Sequence, residues 1–171
     1  MIRRQLPMNR FLLMAVFFIL ASVSQLRAQA RLALSDSDFV VAGLEAGLQE
    51  GIDSSAVRHL KGSPDSTIVE TSPFDRSARL ASWWYPSLTV SFSSTGHVMA
   101  LSVTGPGVAT RRGLTVGDPA ARALALYGPP ARQDDGYWEY LDPKEPQGLH
   151  IIRITVRNDL VTGIFLGTVL D

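Results

Sequence analysis

Two aromatic pairs carry the strongest chemical signal in this 171-residue chain: Trp83 with Tyr85, and Trp138 with Tyr140. Residues two apart on a strand point to the same side of a sheet. If the two faces coincide, four rings share one surface. Left exposed, such rings form a protein-binding hot spot, because Trp and Tyr dominate interface energetics. Set in a groove beside polar hydrogen-bonding groups, the same rings suit a glycan or small ligand. Packed beneath helices, they are core. Trp84 points away from Trp83, so one ring of that run faces the opposite side. A charged hairpin tip from Asp142 to Gly148, with Asp142, Lys144 and Glu145, offers a second contact surface.

Catalytic chemistry finds less support. The histidines are His59, His97 and His150. They fall on a helix, in a turn and at the start of a strand, without the close spacing of a zinc site. Nucleophilic catalysis needs a hydroxyl placed by a strained turn and a histidine oriented by an acid. No G-x-S-x-G occurs, and no His–Asp pairing can be inferred from the sequence. A pocket joining His97 or His150 to a carboxylate would favour an enzyme, in the first instance a hydrolase. Asp134-Asp135 reads as solvated loop charge and Arg111-Arg112 as surface linker charge. The glycine spacing matches neither a dinucleotide fingerprint nor a P-loop. The expectation is therefore no catalytic residue, no metal ligand and no cofactor.

The elements that must position these residues come from a repeated phrase. Gly47-Leu48-Gln49-Glu50-Gly51 leads to Gly62-Ser63-Pro64, and Gly113-Leu114-Thr115-Val116-Gly117 leads to Gly128-Pro129-Pro130. The two align without a gap, and Trp83-Trp84-Tyr85 is echoed by Trp138-Glu139-Tyr140. Self-similarity at a fixed period means one supersecondary unit used twice. In the first copy, Asp53 to Leu60 reads as a helix capped by Asp53 or Ser54 and closed by Gly62, with Gly51 in the turn before it. In the second, Asp118 is the expected N-cap, Pro119 the first helical residue and Gly128 the stop. Ala120, Ala123, Leu124 and Tyr127 make one helical face.

Strand patterns follow each helix: Thr67–Val69, Leu80–Tyr85, Leu88–Phe92 and Val98–Thr104, then Tyr137–Leu141, Leu149–Arg157 and Leu160–Leu170. Alternation of Ile152, Ile154 and Val156 with Arg153, Thr155 and Arg157 signals a sheet with one packed face and one wet face. Gly96 and Asn158-Asp159 suit tight hairpin turns. Arg31 to Asp38 reads as a loose lead, and Phe39 to Ala42 as either a strand or a short helix. The expected fold is α+β. It comprises two tandem repeats of about 39–105 and 106–171, each a short helix plus three to four antiparallel strands, sharing one sheet with the helices on one face.

The motif Gly113-Leu114-x-x-Gly117-Asp118 … Leu126-Tyr127-Gly128-Pro129-Pro130, followed by Trp138-x-Tyr140, resembles small exported domains of the SmpA/OmlA outer-membrane assembly lipoprotein type. The doubling is similar to domains of the beta-lactamase-inhibitory-protein type. The resemblance covers most of the chain beyond residue 30 in order of elements, and only these short stretches in identity. It implies a non-enzymatic protein that binds other proteins through sheet and loop surfaces. The lipoproteins carry an acylated cysteine and the inhibitory type carries disulfides; this chain has no cysteine, so neither specific role follows.

Composition bounds the rest. Arg3, Arg4 and Arg10 precede an apolar run from Phe11 to Ala21, and Ala28-Gln29-Ala30 fits a cleavage site, so residues 1–30 read as a signal peptide. The run is shorter than the ~20 residues that span a bilayer. Of 16 basic and 16 acidic residues, Arg3, Arg4, Arg10 and Arg27 leave with the signal and no acid does. The remainder, 12 against 16, carries −4, which argues against nucleic-acid binding. The reading is an exported, cysteine-free protein of a periplasm or the exterior with no lipid anchor. It binds another exported or envelope protein through its aromatics and the Asp142 loop. A small-ligand or glycan binder is the alternative.

Overall fold

A computed structural model describes residues 33–47, 51–73, 75–145 and 149–169; the expected signal peptide lies outside them. The compact unit runs from Leu34 to Asp171. It opens with a 3-10 turn at Asp36–Phe39 and a small hairpin, β1 (Val40–Val41) and β2 (Leu44–Glu45). Both readings of Phe39 to Ala42 are thus used in part: the turn ends at Phe39 and the strand starts at Val40.

Helix α1 (Ser54–Lys61) precedes four strands, β3 (Ser66–Thr71), β4 (Arg79–Tyr85), β5 (Leu88–Phe92) and β6 (Val98–Val103). Helix α2 (Ala120–Tyr127) precedes four more, β7 (Arg132–Asp134), β8 (Tyr137–Leu141), β9 (His150–Arg157) and β10 (Leu160–Thr168). All eight form one antiparallel sheet in the order β3-β4-β5-β6-β10-β9-β8-β7. The fold is α+β. The last strands of the two meanders meet in the middle, through Leu166 beside Leu101 and Ile164 beside Val103.

Cross-strand register sorts every side chain to a face, because neighbours across a ladder share a side. Trp83, Val90, Leu101, Leu166, Ile152 and Tyr140 form one such row, and Tyr85, Leu88, Val103, Ile164, Ile154 and Trp138 form the next. These rows build the core together with Val57 of α1 and Ala123 and Tyr127 of α2. Both helices therefore cover this face.

The helix starts differ from each other. The Asp53 carboxylate accepts from the amides of Ser55 (2.8 Å) and Ala56 (2.9 Å), a side-chain cap. Asp118 does not cap α2. The helix begins one residue later than expected, with Pro119 in the cap position and no side-chain bond there. The Asp118 carboxylate instead accepts from the Thr115 amide and pairs with Arg122. Both starts share one tertiary contact: the Asp159 carbonyl accepts from the Ala120 amide at 2.8 Å, as the Gly96 carbonyl accepts from the Ser54 amide at 3.0 Å. Each amide is one of the first-turn donors that a cap would otherwise satisfy.

The helix ends agree with each other. Gly62 and Gly128 have φ of 79° and 77° with extended ψ, a region essentially reserved for glycine. Gly51 is required for a different reason: a Cβ there would run into the Val98 carbonyl.

The N-terminal lead is not loose. Asp38 is buried and takes a two-pronged bond from the Arg112 guanidinium, 2.6 and 2.7 Å. Arg112 also donates to the Leu126 carbonyl and lies over the Tyr127 ring. The expectation of Arg112 as surface linker charge is corrected accordingly. A planar guanidinium matches a carboxylate with two parallel bonds, and sequence distance conceals such a partner 74 residues away.

Candidate functional site

The aromatic quartet shares one face, and that face is the helix-packed one. Tyr140 is buried and donates from its hydroxyl to the Gly128 carbonyl at 3.1 Å. Burial, with the neighbouring Tyr127 ring 5.3 Å away, pushes its hydroxyl pKa up to about 12. Tyr85 makes the same bond to Gly62, at 3.2 Å. Trp83 packs on Phe92 and under Arg58 of α1, and Trp138 packs against the core. An open hot spot made of these four rings is thus corrected. Their apolar mass completes the core, and the tyrosine hydroxyls tie the two helix ends to the sheet.

The other face carries Trp84, as its position next to Trp83 requires, together with Tyr137 and Phe165, which the sequence reading did not single out. One row takes a residue from every strand: Ser66, Trp84, Thr89, Ser102, Phe165, Arg153, Glu139 and Arg132. Trp84 on β4 and Tyr137 on β8 remain 44% and 45% exposed. Beside the row lie short side chains, Ser82, Ser91, Ala100 and Gly167, one per strand across the middle. Arg153 and Arg132 both bond to Glu139, and Arg153 also sits over the Tyr137 ring. The signal for this face was present in Trp84, whose orientation opposite to Trp83 follows from strand geometry alone.

The Asp142 loop does not form an open contact surface. Asp142 is buried, and its carboxylate meets Nδ1 of His150 at 2.9 Å. A carboxylate in a hairpin tip looks solvated in sequence. Here Tyr140 and Asp142 lie two apart, so both turn toward the packed side. Lys144 is exposed and pairs with Asp36, and Glu145 is exposed. Pro146, Gln147 and Gly148 fall outside the described residues.

The resulting His–Asp pair lines a cleft of about 510 Å³, together with Asp36, Glu45, Lys144, Glu145 and Thr168. The His150 ring stacks on Phe39 with centroids 3.7 Å apart. Its Nε2 is buried and has no hydrogen-bond partner among the described residues. Among the described residues no hydroxyl stands within bonding distance of Nε2. His59 is exposed on α1, and His97 contacts Thr95 in its turn. Among the described residues no group of three or more His, Asp or Glu could hold a metal ion. Asp134 and Asp135 are exposed. No family model, no curated protein and no solved structure matches this chain.

Proposed function

We propose that the protein is an exported, non-catalytic module that binds another protein of the cell envelope or exterior through the sheet face opposite α1 and α2. The observation that carries this reading is the sheet face of the eight-strand row, with Trp84 exposed in the row and Tyr137 exposed beside it, two residues before Glu139 on β8. Exposed aromatics beside an arginine supply the anchor types that dominate protein interfaces. The Glu139 ion pairs give a charged border, as an interface rim requires.

Two further elements belong to this reading. The module is a tandem repeat of one helix-plus-four-strand unit. In support, the pair Tyr85–Gly62 has its counterpart in Tyr140–Gly128, and the bond from Ser54 to the Gly96 carbonyl has its counterpart in Ala120 to Asp159. Export rests on the basic, apolar and cleavage-site order of residues 1–30. Without cysteine no lipid anchor forms by that route, and the net acidity disfavours nucleic acid.

The test uses residues 31–171 as bait on envelope and culture fractions, beside a Trp84→Ala/Tyr137→Ala variant shown by circular dichroism to be folded. A Leu60→Ala variant on exposed α1 controls for general surface change. A protein held by wild type and Leu60→Ala, and lost by the double variant, supports the reading. Equal capture by all three sinks it. A glycan array positive only for wild type would put the glycan alternative in its place.

A further inference from the structure

We infer that β3 is the edge through which two copies of this chain pair, antiparallel, about a two-fold axis at Val69. This inference concerns the rim of the sheet and does not depend on the protein-binding reading of its face. Three observations converge on it.

The first is an open row of backbone bonding groups. β3 is an outer strand of the eight-strand sheet. Antiparallel partners exchange hydrogen bonds at every second pair. The Ser72 amide donates to the Ala78 carbonyl at 2.9 Å, in line with the Glu70–Leu80 and Ile68–Ser82 pairs of the ladder. Those residues of β3 turn their backbone groups to β4. The amides and carbonyls of Thr67, Val69 and Thr71 therefore point the other way, out of the sheet. All six residues of β3 are exposed, and among the described residues no strand pairs on that side.

The second is the lack of the usual edge protection. Exposed edges are blunted by shortness, charge, proline or a bulge. β7, the opposite edge, follows that rule: it has three residues, Arg132, Gln133 and Asp134. β3 has six, with Glu70 as the one charge, and it pairs with β4 without a register shift. Ile68 and Val69 are 45% and 57% exposed, one on each face of the strand. Such β-branched residues suit a strand with neighbours on both sides.

The third is self-complementarity, which selects a second copy as the occupant. A two-fold axis perpendicular to the sheet sets the outward residues against one another. Val69 meets its own counterpart, Thr67 meets Thr71 of the second copy, and Ile68 meets Glu70. Such Thr–Thr and β-branched pairs are favourable across antiparallel strands, and no like charges stand opposite each other. Opposite charges are also joined. Antiparallel pairing sets the start of one β3 beside the end of the other. Asp65 precedes the start. Arg79 lies at the end, donating to the Thr71 hydroxyl at 3.0 Å. Neither makes an ion pair among the described residues. The dimer brings each Arg79 to the Asp65 of the other copy, twice by symmetry. The contact closes on itself, because short, charged β7 offers no second edge for a chain of copies.

The experiment is sedimentation velocity of residues 31–171 over a micromolar-to-millimolar series, with amide hydrogen exchange read at both ends of it. Wild type passes from monomer to dimer. In the dimer the amides of Thr67, Val69 and Thr71 slow about tenfold, while those of Ile68 and Glu70, already bonded to β4, change less. Val69→Pro removes an outward amide and no bond to β4. Val69→Lys leaves the backbone intact and sets two ammonium groups against each other at the axis. Both variants, shown by circular dichroism to be folded, stay monomeric. Arg79→Glu weakens association about tenfold, since symmetry counts each exposed pair twice, and Asp65→Arg in the same chain restores it. Three results each overturn the inference. One is a wild type that is monomeric at every concentration, which leaves the edge to a strand of another protein or to none. Another is a dimer that survives both Val69 variants. The last is dimerisation with no slowing at the three outward amides.

Discussion

Helices α1 and α2 have the same length, end on the same kind of glycine, and receive the same tyrosine bond at that end. They differ in how they are held. α1 starts on its own side chain, Asp53, as well as on the Gly96 carbonyl of the β5–β6 turn, and its tyrosine bond is exposed. α2 starts on a carbonyl from the β9–β10 turn, and its tyrosine bond is buried. Beside α2, Arg112 also ties the Leu126 carbonyl to Asp38 of the N-terminal turn. Both helix starts are thus tied to a hairpin turn, and α1 adds a local side-chain cap where α2 relies on distant contacts alone. Local caps suffice where water can satisfy the remaining groups. Burial removes that option and requires partners from elsewhere in the fold.

The largest expected break in this comparison is at Asp38. Asp38→Asn leaves the partly buried Arg112 guanidinium without its carboxylate. We expect a loss of about 3 kcal/mol, the low end for breaking a buried ion pair, because Arg112 keeps some solvent contact. Urea denaturation measures it. The same residue sets a pH dependence. Burial alone would raise the Asp38 pKa, but the Arg112 hydrogen bond and the Ser35 amide outweigh it and hold the group below its ordinary value. A depressed folded-state pKa contributes stability above the unfolded value and loses it as pH falls through the folded one. Wild type therefore loses stability below about pH 4, and Asp38→Asn lacks that part of the acid loss. An acid limb unchanged by Asp38→Asn would contradict this account.

Next comes the tyrosine pair, where the comparison is cleanest. Tyr140→Phe leaves the Gly128 carbonyl without its donor in a buried setting, at a cost of about 1–3 kcal/mol. Tyr85→Phe removes the same bond where water can replace it, and we expect a change within about 0.5 kcal/mol. Equal losses in the two variants would show that the halves do not differ in this way.

This contrast also explains what was legible in the sequence. What is held locally could be read locally: Asp53 as cap, Gly62 as stop, Gly96 as the φ-positive turn residue. Strand alternation in His150–Arg157 revealed the packed and wet faces. The Asn158-Asp159 turn was legible too, both residues having positive φ. Features that depend on long-range contact were not. Arg112 needs Asp38, Asp142 needs His150 to be recognised as buried, and the three residues of β7 pair only because β8 is beside them. Periodicity placed Trp83 and Trp138 on one face but does not say which face the helices cover. That choice depends on where the Phe39–Ala46 segment and both helices pack, which no local pattern encodes.

The smallest effects test the helix starts themselves. Sequence pattern alone ranks Asp118 with Asp53, since both precede a helix by a residue or two. The contacts rank them differently. Asp53 accepts from two first-turn amides and from the Ser55 hydroxyl, and the Ser55 bond foremost holds its carboxyl below the ordinary pKa. Asp118 bonds the amide of Thr115, which lies before the helix, and pairs with an arginine that is half exposed. Removing a side chain that bonds first-turn donors frays the helix, whereas removing an exposed ion pair changes little. Asp53→Ala should therefore speed amide hydrogen exchange at Ser55 and Ala56 and lower the urea midpoint, less than Tyr140→Phe does. Asp118→Ala should leave exchange at Ala120 unaltered, because the Asp159 carbonyl still holds that amide. If Asp118→Ala exposes Ala120 to exchange as strongly as Asp53→Ala exposes Ala56, then α2 depends on its own N-terminal residues after all, and the distinction between a locally capped helix and one held by distant contacts alone fails.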